Sequence, residues 1–211
     1  MTIGQDCCEV SAAAADDGRF RKALWIALAI NAAMFGIEAT AGLRAGSVAL
    51  QADSLDLFGD AANYAIGLFV LARTLRWRAG AALIKGATMA VFGVWILGMA
   101  TYKAFVVGAP SAMVMGTVGM LAMVANIVCA AMLYRFRDGE SNRRSVWICS
   151  RNDALGNIAV VAAASGVFAT GTAWPDLFVG VVMAGLALAG ARQIIAQARD
   201  ELGSVTAAVT T

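Results

Sequence analysis

The chain has 211 residues, of which 60% are hydrophobic and 14% charged; its formal net charge is +2 and its mean hydropathy +0.73, with only two prolines. It is too apolar for a soluble domain of this size, and the scarcity of proline favours helix, so the expected fold is an all-α integral membrane protein. A charge of +2 offers no nucleic-acid surface, and no hydrolytic triad, nucleotide loop or haem motif is present, so the sequence is not that of an enzyme.

Residues 1–20 form an acidic segment without a basic stretch ahead of an apolar core, so it is not read as a signal peptide but as a cytoplasmic tail. It holds Cys7 and Cys8 between Asp6 and Glu9. In a reducing compartment no disulfide is expected, and two readings stand: capture of a soft metal ion, or an unstructured tail, since no CxxC spacing is present. A bilayer core of ~30 Å requires about 20 apolar residues per helix. Six such runs follow, at 22–43, 47–72, 79–105, 112–134, 145–168 and 175–195, predicting a six-helix transmembrane domain over 21–195 and a short tail over 196–211.

In the first run Asn31 and Glu38 are seven residues apart and share a face. Glu38 then either lines an outward path or relays protons, or hydrogen-bonds a neighbouring helix. The second run carries Asp53, Asp56, Asp60 and Asn63, spaced three, four and three, so all project from one face. A charge near the bilayer centre costs at least ~2.5–3.5 kcal/mol, so this stripe must face the bundle interior. Pairing with Lys85 or Arg151 requires one acid and does not explain three. Cys129 in the fourth run reads as packing. The fifth run sets Cys149, Asp153 and Asn157 four apart, with Asn152 beside them. Asn63 and Asn157 read either as groups orienting the carboxylates or as interhelical hydrogen bonds. In the sixth run Asp176 after Pro175 predicts a cap on that helix, and the spacing of Gly180 and Ala184 permits close helix approach.

Basic residues lie on one side. Arg19, Arg21 and Lys22 precede the first run, Arg73, Arg76 and Arg78 follow the second, Arg135, Arg137, Arg143 and Arg144 precede the fifth, and Arg192 and Arg199 close the sixth; the other side holds Arg44 and Lys103. Both termini are therefore expected to be cytoplasmic. At ~1.5 Å per residue, Asp56 and Asp60 lie roughly 14–20 Å below the outer surface, and Cys149 and Asp153 roughly 16–23 Å below it. The two faces share one depth, and as neighbours they level Asp56 with Asp153 and Asp60 with Cys149.

Three carboxylates and a thiol at one depth suit a tetrahedral divalent cation such as Zn²⁺, and the thiolate favours Zn²⁺, Cd²⁺ or Co²⁺ over Mg²⁺ and Ca²⁺. Metal binding requires deprotonated ligands, so one site can hold metal or protons in turn.

The strings ADSLDLFGD, CSRNDALGN, NAAMFGIEATAGLRAGSVAL and WPDLFVG together resemble the transmembrane domain of the cation diffusion facilitator family over about residues 21–195. The resemblance implies a transport site of two residues four apart on the second helix and two on the fifth, here Asp56 and Asp60 with Cys149 and Asp153. It also implies export of a divalent transition metal, Zn or Cd, from the cytoplasm by proton antiport across a cell (inner) membrane, with no permanent cofactor. The chain has no histidine, and Cys149 stands where the family commonly has one, which shifts the expected selectivity toward softer ions. The family's cytoplasmic domain has no counterpart in the sequence, so a homodimer is expected to form through transmembrane helices. The rival reading is a non-transporting membrane metal binder, sensor or subunit of a larger complex. Asp53, Asn63, Asn152, Asn157, Glu38 and Asn31 remain candidates for supporting the ligands or lining the pathway.

Overall fold

The computed structural model describes residues 18–69, 74–106, 108–134 and 141–210, with side chains at all of these except 67, 75, 78, 106, 141–152, 154, 155 and 204–210. Six helices follow one another: α1 Gly18–Ala45, α2 Val48–Phe69, α3 Leu75–Val106, α4 Ala112–Tyr134, α5 Ser141–Thr170 and α6 Trp174–Thr210. No strand occurs among the described residues. Each expected apolar run matches a helix, and α6 continues past its run to Thr210.

The breaks have local causes. Pro110 falls in the link before α4 and Pro175 in the first turn of α6, where a missing N–H costs nothing. Gly46 and Gly171 adopt left-handed φ values of 70° and 64°, which only glycine enters freely. Gly46 closes α1 in a two-residue turn to α2, and Gly171 ends α5 with its N–H donated to Val167 O at 2.8 Å.

Four helical segments are long and apolar enough to cross a membrane: Gly18–Ala45, Ala79–Phe105, Ala112–Tyr134 and Trp174–Gly203. The two helices outside that group, α2 and α5, carry Asp53, Asp56, Asp60 and Asp153; among the described residues α5 shows an apolar stretch over Gly156–Thr170. The bundle compensates by turning the usual soluble arrangement inside out. Trp95, Val91, Phe105, Phe168, Phe178 and Leu186 are exposed on its surface, whereas Asn31, Glu38, Asp53, Asp60, Lys85, Asn126 and Asn157 are buried. An apolar rind around a polar interior is the pattern that lipid selects.

Helix α2 occupies the middle, packed against α1, α3, α5 and α6, while α3 lies along α6, α4 along α5, and α1 against α4. Missing side chains set some of these distances. A Cβ on Gly180 of α6 would lie 2.6 Å from Val48 Cγ1 and 2.8 Å from the Val48 carbonyl carbon, so α6 meets the backbone of α2 directly. Gly93 similarly admits Leu188 between α3 and α6.

That contact brings Asp176 onto the first turn of α2. Asp176 Oδ1 accepts from Ser47 Oγ at 2.6 Å and from Ala49 N–H at 3.0 Å, Oδ2 accepts from Val48 N–H at 2.8 Å, and Leu50 N–H donates to Ser47 Oγ at 3.0 Å. Asp176 therefore caps α2, not its own helix as the sequence suggested. The reason is competition: α6 begins with Pro175, which lacks an N–H, whereas the start of α2 is buried and presents several amides without intrahelical partners. Lys103 of α3, also buried, acts on Asp176 and lies beside Gly46. Replacing Asp176 by Ala should destabilise the bundle by ~3 kcal/mol, the order expected on orphaning amides bonded to a charged acceptor. A clearly lowered melting midpoint in detergent is the expected result, with exposed Asp200→Ala melting as the unmodified chain does.

Candidate functional site

The acid face of α2 is set by helical geometry. Positions 53, 56 and 60 stack along one side, and the packing of α2 among four helices turns that side inward. Asp53 and Asp60 are 3% and 7% exposed, and Asp56 is partly buried. From α5, Asp153 meets the same face: its carboxyl lies within hydrogen-bonding reach of that of Asp60, and Asp56 and Asp53 act on it from further off. Two carboxyl groups come this close only with a proton or a cation between them. Asp153 Oδ2 is buried and has no hydrogen-bond partner.

Around Asp60 the structure gathers groups from three more positions. Tyr64, one turn further along α2 and 1% exposed, donates its hydroxyl to Asp60 Oδ2 in a long 3.4 Å contact. Lys85 of α3 turns inward, donates its ammonium to Asn63 Oδ1 at 2.5 Å and acts on Asp60. Cys129 of α4 is buried, receives the Asn31 amide at 3.8 Å, and feels both Asp60 and Asp153. The sequence reading of Cys129 as packing is thus incomplete, since its thiol stands beside the acid pair.

The supporting candidates divide. Asn63 is tied to Lys85, whereas Asn157, fully buried, donates to Asp153 O on its own helix and leaves Oδ1 without a partner. Asn31 also bonds its own helix at Ala27 O, 2.9 Å away. Glu38 and Asp53 face each other one turn beyond Asp56, carboxyl to carboxyl. Among the described residues no three carboxyl or thiol groups close on a common point at metal-ligand distance. The side chains of Cys149, Asn152 and Arg151 lie outside the described residues, as do Cys7 and Cys8.

Two groups in this neighbourhood escaped the sequence reading. Tyr64 lies four residues after Asp60, on the acid face itself, and Asn126 is a buried amide three residues before Cys129 in an otherwise apolar helix. Each carried a legible signal, a polar atom in register with the stripe or an amide in a lipid-facing run.

The model of the cation efflux transmembrane domain matches residues 24–202. Two curated relatives, both named "Zinc transporter ZitB", come from Yersinia pseudotuberculosis serotype I (strain IP32953) and Yersinia pestis. Each is 26% identical over 198 residues, covering 86% of this chain and 62% of the relative. The chain thus spans less than two thirds of the length of those relatives.

Burial of Cys129 gives a direct check. A variant with Cys7, Cys8 and Cys149 changed to Ser should resist a bulky maleimide in the folded state and label fully after unfolding in SDS; rapid labelling of the folded protein would contradict this placement.

Proposed function

The chain belongs to the cation efflux transmembrane domain family and is a multi-pass protein of a cell membrane; on that premise we propose that it exports a divalent transition-metal ion of the Zn²⁺ and Cd²⁺ class from the cytoplasm in exchange for protons. The observation that carries this reading is the meeting of Asp60 and Asp153, contributed by two helices, inside an apolar-surfaced bundle. Two acids from different helices brought to one point are a poor structural device and a good cation site.

In this proposal Asp56, Asp60 and Asp153 supply carboxylate ligands and Cys149 a thiolate, with a tetrahedral ion bridging α2 and α5. Asn63, Tyr64, Asn157 and Lys85 orient or balance the acids. The named relatives, both zinc transporters, favour zinc as cargo, while the thiol favours a softer ion such as cadmium. Coupling to protons follows from the ligand chemistry, because carboxylates and a thiolate must lose protons to take metal. Helix α5 runs closely along α4 and touches α2 only lightly, so a bridging ion would sit on a weak seam that rocking can open to either side.

All six helices are proposed to span. The two-residue turn at Gly46 and Ser47 returns α2 through the layer that α1 crosses, and the acid face of α2 avoids lipid by pointing inward. Arg19, Arg21, Arg76, Arg192 and Arg199 are exposed, and the concentration of basic residues in cytoplasmic segments supports cytoplasmic termini, with residues 21–195 as the membrane domain.

The test is metal uptake by proteoliposomes under an imposed pH gradient. Zn²⁺ or Cd²⁺ flux should fall at least about 100-fold in Asp60→Asn and Asp153→Asn, beyond the ~10–100-fold typical for a residue that only supports a ligand. Cys149→Ser should move the preference from Cd²⁺ toward Zn²⁺. Tight metal binding with no flux under either gradient would sink the transport reading and leave a metal binder.

A further inference from the structure

Besides the acids assigned to metal, the interior holds a second carboxyl pair, Glu38 of α1 and Asp53 of α2. Glu38 is 0% exposed and Asp53 3%, and their carboxyl groups lie within hydrogen-bonding reach of each other. Glu38 Oε1, Glu38 Oε2 and Asp53 Oδ2 are all buried without a donor. Such atoms are costly unless something is bound to them.

The side-chain donors nearest in sequence bond backbone carbonyls. Gln51 gives its amide to Ser47 O at 2.9 Å, Ser54 its hydroxyl to Gln51 O at 2.8 Å, and Thr40 its hydroxyl to Gly36 O at 2.8 Å. Among the charged groups whose side chains are described, on α2 itself and on the helices packed against it and α1, Asp56 acts on Glu38 and Asp153 senses Asp53; both are acids. The lysines of α3 serve other partners, Lys85 at Asn63 and Asp60, Lys103 at Asp176, and Arg76 lies exposed at the start of that helix. Helix α4 contributes no charged residue, and on α6 Asp176 is engaged with the start of α2, while Arg192 and Arg199 are exposed further along.

We propose that Glu38 and Asp53 share and carry one further exchanged proton, beyond those the metal ligands release, at a site separate from those ligands. This rests on the antiport reading above. Two carboxyl groups supply too few ligands for a metal ion, which takes four donors in a tetrahedral site or six or more around a hard cation, and no third carboxyl or thiol joins them among the described residues. A proton needs two oxygens only: one O–H, donating to the facing carboxylate. Asp53 lies ~4.5 Å above Asp56 and ~10 Å above Asp60 along the helix axis. A doubly charged ion ~10 Å away in a poorly screened interior displaces the shared proton by a factor on the order of 100. Metal entry therefore breaks that O–H and releases one proton, and metal departure lets the pair take one back.

Three variants decide the matter: Glu38→Gln, Asp53→Asn and Glu38→Asp. In proteoliposomes at equal pH on both sides, exchange of isotopic Zn²⁺ should stay within about threefold of the unmodified chain in all three, while uptake driven by a pH gradient should drop at least about tenfold in the first two and persist in Glu38→Asp. In metal-free protein, the infrared carbonyl band of a protonated carboxyl should be present, vanish on adding Zn²⁺, and be diminished in Glu38→Gln. Gradient-driven uptake at the unmodified level in both neutral variants would overturn the proposal. So would equal loss of exchange and gradient-driven uptake, which would make the pair part of the metal path, or an unchanged infrared band. Absence of all flux in the unmodified chain would instead strike the transport reading, and the infrared band would still test the pair.

Discussion

The carboxylate of Asp176 on the first turn of α2 fixes that helix, and the interior is arranged around it. A helix start buried in protein has no water to receive its free amides. Three groups at the head of α2 find one acceptor from a different helix, and Gly180 allows that acceptor to come close enough. With its head pinned and its turn from α1 only two residues long, α2 has little freedom to slide or rotate. Its acids consequently hold their depth and point inward.

The stripe that results is not uniform. Around Asp60 there are donors and a cation, in the form of Tyr64, Lys85 and the Lys85-bound Asn63. Around Asp53 there is another acid, and among the described residues no donor reaches buried Asp53 Oδ2 or either Glu38 oxygen. Each end joins two carboxyls from different helices, Asp60 with Asp153 and Asp53 with Glu38, but only the first also has a hydroxyl and an ammonium acting on it. A polar stripe made only for helix adhesion would be satisfied at both ends.

Much of this was legible from residue spacing. Intervals of three and four placed Asp53, Asp56 and Asp60 on one face, and counting residues from either side of the membrane put Asp153 at the depth of the α2 acids, where the structure brings it to Asp60. The predicted level partner of Asp153 was Asp56, one turn away, because a count of rise per residue resolves depth to about a turn and says nothing of tilt. Spacing also cannot tell which helices are neighbours. Cys129 was therefore read against its own apolar helix, although α4 approaches α1 and brings the thiol to Asn31. Tyr64, four residues after Asp60, continues the same face, but spacing alone does not show that its hydroxyl reaches Asp60. Asp176 was assigned to the helix that carries it for the same reason.

The cap on α2 also has a consequence for how the protein is made. Val48 and Asp176 are 128 residues apart in the chain, so α2 leaves the ribosome long before its acceptor exists, and it does so carrying three aspartates. Domains assemble as the chain emerges, earlier segments first, but this helix cannot complete its hydrogen bonds until the last one arrives. In the interval its polar head and acid face need shelter from lipid, from water at the interface or from the insertion machinery. A chain truncated before Asp176 would leave the head of its central helix without this acceptor.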